Sequence, residues 1–261
     1  KLKDVKIIMG GSTAKGTFLK NSHDVDIYVR FPEKKYAGLN ISEILENKLK
    51  FKSLRKVHGS RDYFQFQYEG YDIEIIPLIE IKKADDAHNI TDISPLHVKW
   101  VRKHKQLTDE VRLVKAFCKA NGIYGAESYI KGFSGYALEI LTIYYGGFEK
   151  LLNNVSKWKP KVIVDVERYY PKGDVLLRMN RSKLDSPLVL VDPVQDTRNV
   201  AAVVSDEKFY LFRDMARKFL KAKKKERFFV ADEFNLDKIK KKYKDLYVFD
   251  VKPLDGKKDV V

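Results

Sequence analysis

The chain has 261 residues, of which 51 are Lys or Arg and 36 are Asp or Glu, for a formal net charge of +15 at neutral pH. That length accommodates two domains that each bury a core, and the one cysteine, Cys118, excludes an internal disulfide and fits a reducing compartment. No apolar run reaches the roughly 18 residues a membrane span needs, and the excess of positive charge favours a polyanionic partner over a neutral metabolite.

The chain starts at Lys1, not at methionine, almost directly in the apolar stretch Val5 to Met9, and shows no signal peptide. Residues 5–31 predict a strand, a glycine turn, a short helix and a second strand. ISEILENKLK (41–50) predicts an amphipathic helix with Ser42 as its cap. FQFQYEG and YDIEIIPLI predict two strands meeting at Glu69-Gly70 in an antiparallel hairpin. From Leu107 the period becomes helical: TDEVRLVKAFCKANGI has Thr108 as N-cap, Val111, Val114, Phe117 and Cys118 on one stripe, and Asn121-Gly122 as the stop. A second helix covers about 133–145, in an apolar stretch interrupted by Glu139, and a third follows Ser205. Basic clusters at Lys221 to Arg227 and Lys238 to Lys244 read equally as solvated surface or RNA contact. After Phe229 a helix and then a strand are expected. The fold class is α+β: a mixed-sheet domain over 1–95, a mainly helical domain over 96–226, and the start of an α/β module over 227–261.

The chemistry concentrates in GGSTAKGTFLKNSHDVDIYVRF (10–31). On a strand, Asp24 and Asp26 share one face while Val25, Ile27 and Val29 point into a core. Two carboxylates in one small space repel unless a cation sits between them, and a hard divalent ion with oxygen ligands, such as Mg²⁺, is the usual solution. In YDIEIIP, Asp72 and Glu74 again share a face, so adjacent strands would bring a third carboxylate to the pair, as phosphoryl transfer requires. The Gly10-Gly11-Ser12 turn opening a helix offers N–H groups and a hydroxyl to a triphosphate.

In this order the motifs resemble the DNA polymerase β-like nucleotidyltransferase superfamily. PLHVKWV, KANGIYGAE, GFSGY and DPVQDTRNVAA narrow the resemblance to the archaeal, class I CCA-adding tRNA nucleotidyltransferases over nearly the whole chain. The resemblance implies a polymerase β-like palm over 1–95, a nucleotide- and RNA-binding central domain, and the beginning of a C-terminal RNA-binding domain whose tail is absent. It implies template-independent addition of C, C and A to the tRNA 3′ end from CTP and ATP, with two Mg²⁺ ions and release of pyrophosphate, in the cytoplasm. Asp24, Asp26 and Glu74 match the metal-binding and catalytic carboxylates. Gly11, Ser12 and Lys15 match the triphosphate turn, His97, Lys115 and Tyr124 the contacts to phosphates and sugar, and Arg198 an arginine near the base.

Other readings of the same residues stay open. Ser12 reads as a helix cap, His97 as a packed histidine, Tyr124 as a core aromatic, and Arg198 as a partner of Asp192 or Asp196; Tyr136 and Tyr144–Tyr145 read as packing residues. Four departures from the family pattern stand out: Lys15 replaces an arginine, Glu74 an aspartate, and no counterpart of the N-terminal helix or of the C-terminal tail is found. A truncated, split or minimal enzyme is therefore expected, with a homodimer or a separate tail-supplying polypeptide both open. The rival functions are another nucleotidyltransferase of poly(A) or oligoadenylate type and a silent RNA-binding form.

Overall fold

The computed structural model describes residues 4–20 and 24–231 continuously, with the single residues 2, 22, 240, 247 and 249. The basic run Lys238 to Lys244, apart from Lys240, and the helix and strand expected after Phe229 lie outside the described residues.

The N-terminal unit is built from β1 (Lys6–Met9), α1 (Gly11–Lys15), β2 (Asp24–Pro32), α2 (Glu33–Tyr36), α3 (Ile41–Glu46), β3 (Arg55–Val57), β4 (Tyr63–Tyr68) and β5 (Tyr71–Glu80). Its strands form one sheet in the order β1-β2-β5-β4-β3, with β2 and β5 parallel and the other pairs antiparallel. The period of two sorts the two faces. Val29, Phe31, Phe64, Ile73, Ile75 and Ile79 turn to one side and bury against α2 and α3 through Tyr36, Ile41 and Leu45. Asp24, Asp26 and Glu74 fall on the other face. The β4–β5 hairpin turns at Glu69 and Gly70, both with positive φ (49° and 82°), as a two-residue turn matched to strand twist requires.

The C-terminal unit follows with α4 (Ser94–Arg102), α5 (Thr108–Ala120), α6 (Gly135–Tyr145), α7 (Phe148–Val155), β6 (Val162–Val164), α8 (Val175–Arg178), β7 (Leu188–Asp192), β8 (Gln195–Asn199) and α9 (Asp206–Lys221). An aromatic-rich core centred on Phe117, Phe133, Phe209 and Phe212 packs α5, α6, α7 and α9 together. Cys118 lies in this core with no exposed surface, and burial pushes its thiol well above the ordinary range, so it is an inert packing group.

Three expectations need correction. Asn40, not Ser42, caps α3: its side chain accepts from the Glu43 N–H, while Ser42 is buried and its hydroxyl donates to the Asp62 carbonyl. Thr108 is the first residue of α5 and not its cap; its hydroxyl donates back to the Lys105 carbonyl at 2.6 Å. The C-terminal unit also contains a sheet, β6-β7-β8, that helical periodicity did not reveal. Its central strand is buried on both faces: Leu188 and Leu190 face the helical core, and Val189 and Val191 face Val175 and Met179. Such a strand reads as a continuous apolar run without alternation. Ser134 and Ser205 cap α6 and α9, and Gly122 and Gly146 close α5 and α6 with positive φ.

Candidate active site

The parallel pairing of β2 with β5 sets the site. Asp24 stands directly beside Asp72, and Asp26 beside Glu74. The second pair belongs to a row across four strands, Asp26, Glu74, Gln65 and Arg55. Gln65 is buried and its amide donates to a Glu74 carboxylate oxygen, which fixes the direction of that side chain. Asp72 is exposed and accepts from Gln67 at 3.2 Å, and Asp24 accepts from the Ser22 hydroxyl at 3.2 Å. A polar cavity of about 560 Å³ opens beside the row, lined by Asp24, Asp72, Glu74, Gln65, Gln67 and Arg55.

Asp26 is the tightest member of the cluster. Burial, then the charges of Glu74 and Asp24, raise its carboxyl to about 6, against a smaller opposing pull from Lys15. A local excess of negative charge is the electrostatic mark of a cation site. Among the described residues no three His, Cys, Asp or Glu side chains close around a single point. The carboxylates form an open row of hard oxygen donors, which fits a divalent ion that completes its shell with substrate oxygens and water.

The glycine turn lies against this row. Gly10 donates to the Asp26 carbonyl at 2.8 Å, and Gly11, at φ +50°, donates to the Tyr28 hydroxyl at 3.1 Å. A Cβ on Gly11 would sit 1.6 Å from the Asp26 Oδ2 atom. Gly11→Ala is therefore expected to push Asp26 out of line and cut nucleotide incorporation by at least about a hundredfold, at a stability cost on the order of 1–3 kcal/mol for the positive φ. Incorporation assays together with thermal unfolding separate the two effects.

Ser12, in the first turn of α1, lines a small cleft of about 30 Å³ with Thr17, Lys115, Lys119 and Tyr124. Lys115 is buried, and its ammonium donates to Glu139 at 2.7 Å, to the Thr17 hydroxyl at 3.0 Å and to the Thr17 carbonyl at 3.3 Å. Burial lowers its pKa, and the Glu139 charge opposes that shift. Lys15 reaches the same carboxylate at 2.8 Å and passes 4.8 Å over the Tyr136 ring. Tyr124 is largely enclosed, and burial lifts its hydroxyl to about 12.

His97 and Arg198 meet at a second buried acid. Asp192 accepts from His97 Nε2 at 3.1 Å, from Arg198 at 2.7 Å, from the Tyr136 hydroxyl at 3.1 Å and from the Val194 N–H at 3.0 Å. Burial pushes the Asp192 carboxyl up, and the His97 and Arg198 contacts more than offset it, leaving it below the usual range. Burial also holds His97 below its ordinary pKa, so at neutral pH the ring is uncharged and donates Nε2–H to the acid. Of the two partners open to Arg198 in the sequence, Asp192 is the one it takes.

Four residues of this constellation were not singled out as site residues. Glu139 and Asp192 are buried acids whose partners come from distant segments. Tyr136, read as a packing residue, stacks on His97 at 4.1 Å and joins the two acids' clusters. Gln65 alternates inconspicuously in FQFQY. One signal was available: a lone carboxylate inside an apolar helix, as in GYALEILTIYY, must be paired if it is buried.

The sheet-plus-helices arrangement recurs in solved structures. Cid1 in complex with its short product ApU matches with a TM-score of 0.66 at 15% identity, over 88% of this chain and 87% of that one. A cytoplasmic RNA terminal U-transferase matches with a TM-score of 0.63 at 14% identity, over the same shares. These likenesses show that the chain shares its fold with those proteins. Residues 1–108 match the family model of the nucleotidyltransferase domain, and residues 109–230 that of the tRNA nucleotidyltransferase second domain. The chain is 49% identical over 209 residues to the CCA-adding enzyme of Nanoarchaeum equitans, covering 78% of this chain and 53% of that protein. The CCA-adding enzyme of Pyrococcus abyssi is 35% identical over 241 residues, covering 88% and 53%. The chain spans about half the length of the curated relatives it matches. Among the described residues no helix is long and apolar enough to cross a membrane. With its sheet, its second domain and its relatives in agreement, the chain carries a nucleotidyltransferase domain followed by a tRNA nucleotidyltransferase second domain, and over these two it is similar to the archaeal CCA-adding enzymes.

Proposed function

We propose that the chain adds C, C and A to the 3′ end of tRNA from CTP and ATP without a template, releasing pyrophosphate at each step. The observation that carries this reading is the placement of Asp26 beside Glu74 in register, against a glycine turn that tolerates no side chain. Asp24, Asp26 and Glu74 would hold two Mg²⁺ ions, which supply charge neutralisation to the triphosphate and lower the cost of deprotonating the primer hydroxyl. Glu74, oriented by Gln65, faces the cavity where an RNA 3′ end has room to enter. Gly11, Ser12 and Lys15 receive the triphosphate, with Lys115 and Tyr124 lining the adjoining cleft. His97 and Arg198, held together by Asp192, are assigned to the sugar and base of the nucleotide in this reading.

The domain limits that go with this reading are a catalytic palm over 1–95, a central domain over 96–226 and the start of an RNA-binding module beyond it. The excess of positive charge suits tRNA as partner, and the buried, unpaired Cys118 suits a reducing, cytoplasmic setting. A second copy of the chain or a separate polypeptide gripping the rest of the tRNA is compatible with it.

Nucleotide choice tests the reading. Offered each of the four nucleoside triphosphates singly with a tRNA lacking its CCA end, the chain should incorporate CMP in preference to the other three. Sustained growth on ATP or UTP alone would assign it to a poly(A) or poly(U) type of activity instead. Incorporation should also fall steeply between about 50 and 200 mM salt, because phosphate contacts release counterions.

A further inference from the structure

The two units of the chain meet at a carboxylate that has no part in the reaction as proposed above. Glu139 on α6 is 1% exposed, and both of its oxygens are engaged by groups from other elements. One accepts from Lys15 at the end of α1; the other accepts from Lys115 of α5 and, at 2.6 Å, from the Thr17 hydroxyl. The Thr17 hydroxyl in turn accepts from Lys115, so all three ammonium hydrogens of Lys115 are directed within this cluster. Gly135 makes room for the assembly, since a Cβ there would lie 2.9 Å from the Tyr124 hydroxyl and 3.5 Å from the Lys115 ammonium.

A lysine is a point charge on a flexible stem and takes its direction from its partner. Two ammonium groups brought to one place repel each other, and Lys115, being buried, is prone to lose its proton. A carboxylate between them removes both difficulties and leaves one net positive charge to meet a polyphosphate. We infer that Glu139 is the positioning residue of the triphosphate site, its carboxylate fixing Lys15 and Lys115 beside the glycine turn that would receive the phosphates. This rests on the nucleotide-binding role proposed for those lysines.

The groups facing Glu139 are Lys15 from α1, Lys115 from α5, Tyr124 from the turn after it, Tyr28 from β2 and Tyr136 from α6 itself, while Lys119 of α5 acts on Lys115. The three tyrosines are all held above their ordinary pKa, chiefly by burial, and stay neutral, whereas burial lowers Lys115. With Glu139 neutralised, burial and the Lys15 and Lys119 charges act on Lys115 unopposed and lower it further.

The test is steady-state CMP incorporation into a tRNA lacking its CCA end by the wild-type chain, Glu139→Gln and Glu139→Asp, with thermal unfolding as a control for folding. Glu139→Gln should raise KM for CTP about tenfold or more, the loss expected for a charged hydrogen bond, while KM for tRNA is unchanged. In that variant alone, kcat/KM for CTP should decline as pH rises from 7 to 9, because a lysine with a depressed pKa loses the charge that attracts phosphate. Glu139→Asp keeps the charge at shorter reach and should show a raised KM for CTP without the new pH dependence; if Glu139→Gln does not fold, this variant decides. A folded variant with the wild-type KM for CTP, or one that loses only stability and kcat, would overturn the positioning role and leave the proposed function standing. A wild-type chain that incorporates no nucleotide and binds no Mg-CTP would overturn both.

Discussion

Asp26→Asn is expected to reduce CMP and AMP incorporation on the order of a thousandfold, as loss of a preorganised charge at a phosphoryl-transfer centre does, and yet to stabilise the metal-free chain. The second effect follows from the sign of the pKa shift. Burial, then Glu74 and Asp24, raise the folded-state carboxyl from 3.8 to about 6. The folded chain therefore binds a proton more tightly than the unfolded chain between those values. The resulting destabilisation is absent below about pH 4, grows as pH rises to 6 and is constant above, amounting to roughly 1–3 kcal/mol. Denaturant unfolding in chelator should show Asp26→Asn gaining on the wild type across that window. Added Mg²⁺ should reverse the order by stabilising the wild type alone. A variant that keeps its activity would remove Asp26 from the reaction.

Asp192→Ala carries the largest expected loss of stability. It leaves Arg198 without its counter-ion and strands the donors of His97, Tyr136 and Val194 around a vacated, fully buried position. Breaking a buried pair from one side costs about 3–5 kcal/mol, which lowers the melting temperature of a chain of this size by roughly 10 °C. The Asp192 carboxyl lies below its ordinary 3.8 when folded, so its stabilisation is fully present above that value and is lost as pH falls through the lower folded value. The gap between variant and wild type should accordingly be widest at neutral pH and close in acid. A gap that persists unchanged in acid would mean that the charge of Asp192 is not what the site uses. Because His97 and Arg198 lose their common anchor, discrimination between CTP and the other nucleotides should weaken in the surviving folded fraction.

Local pattern carried much of the fold. Alternation in β2, β4 and β5 and the Glu69-Gly70 turn are short-range features, and each lies where the spacing of apolar and polar residues places it. The spacing that puts Asp24 and Asp26 on one face also makes the carboxylate row legible, whereas the adjacency of the two strands stayed conditional in the sequence, and their parallel pairing is seen only in the fold. What the pattern left out depends on long-range contact. The buried strand Leu188–Asp192 has no alternation to read, since both of its faces are covered. Glu139 looked like a mere interruption of an apolar run until Lys15 and Lys115, 124 and 24 residues away, were seen to converge on it. The partners of Lys115, Glu139 and Thr17, are likewise long-range and lie outside what its helical spacing shows. At the caps, Asn40 outcompetes Ser42 because a chain entering a helix needs its acceptor one residue before the first turn, a shift of two positions that composition does not resolve.

The central claim is tested most directly by a single extension reaction resolved at one-nucleotide length. It contains the chain, Mg²⁺, a tRNA lacking its 3′ CCA, and CTP and ATP together. The reading predicts growth by C, then C, then A, with no fourth addition, and no growth for Asp26→Asn. Extension past three nucleotides, a homopolymer tail, or no extension by a chain shown to be folded and to bind both tRNA and Mg-CTP would contradict it.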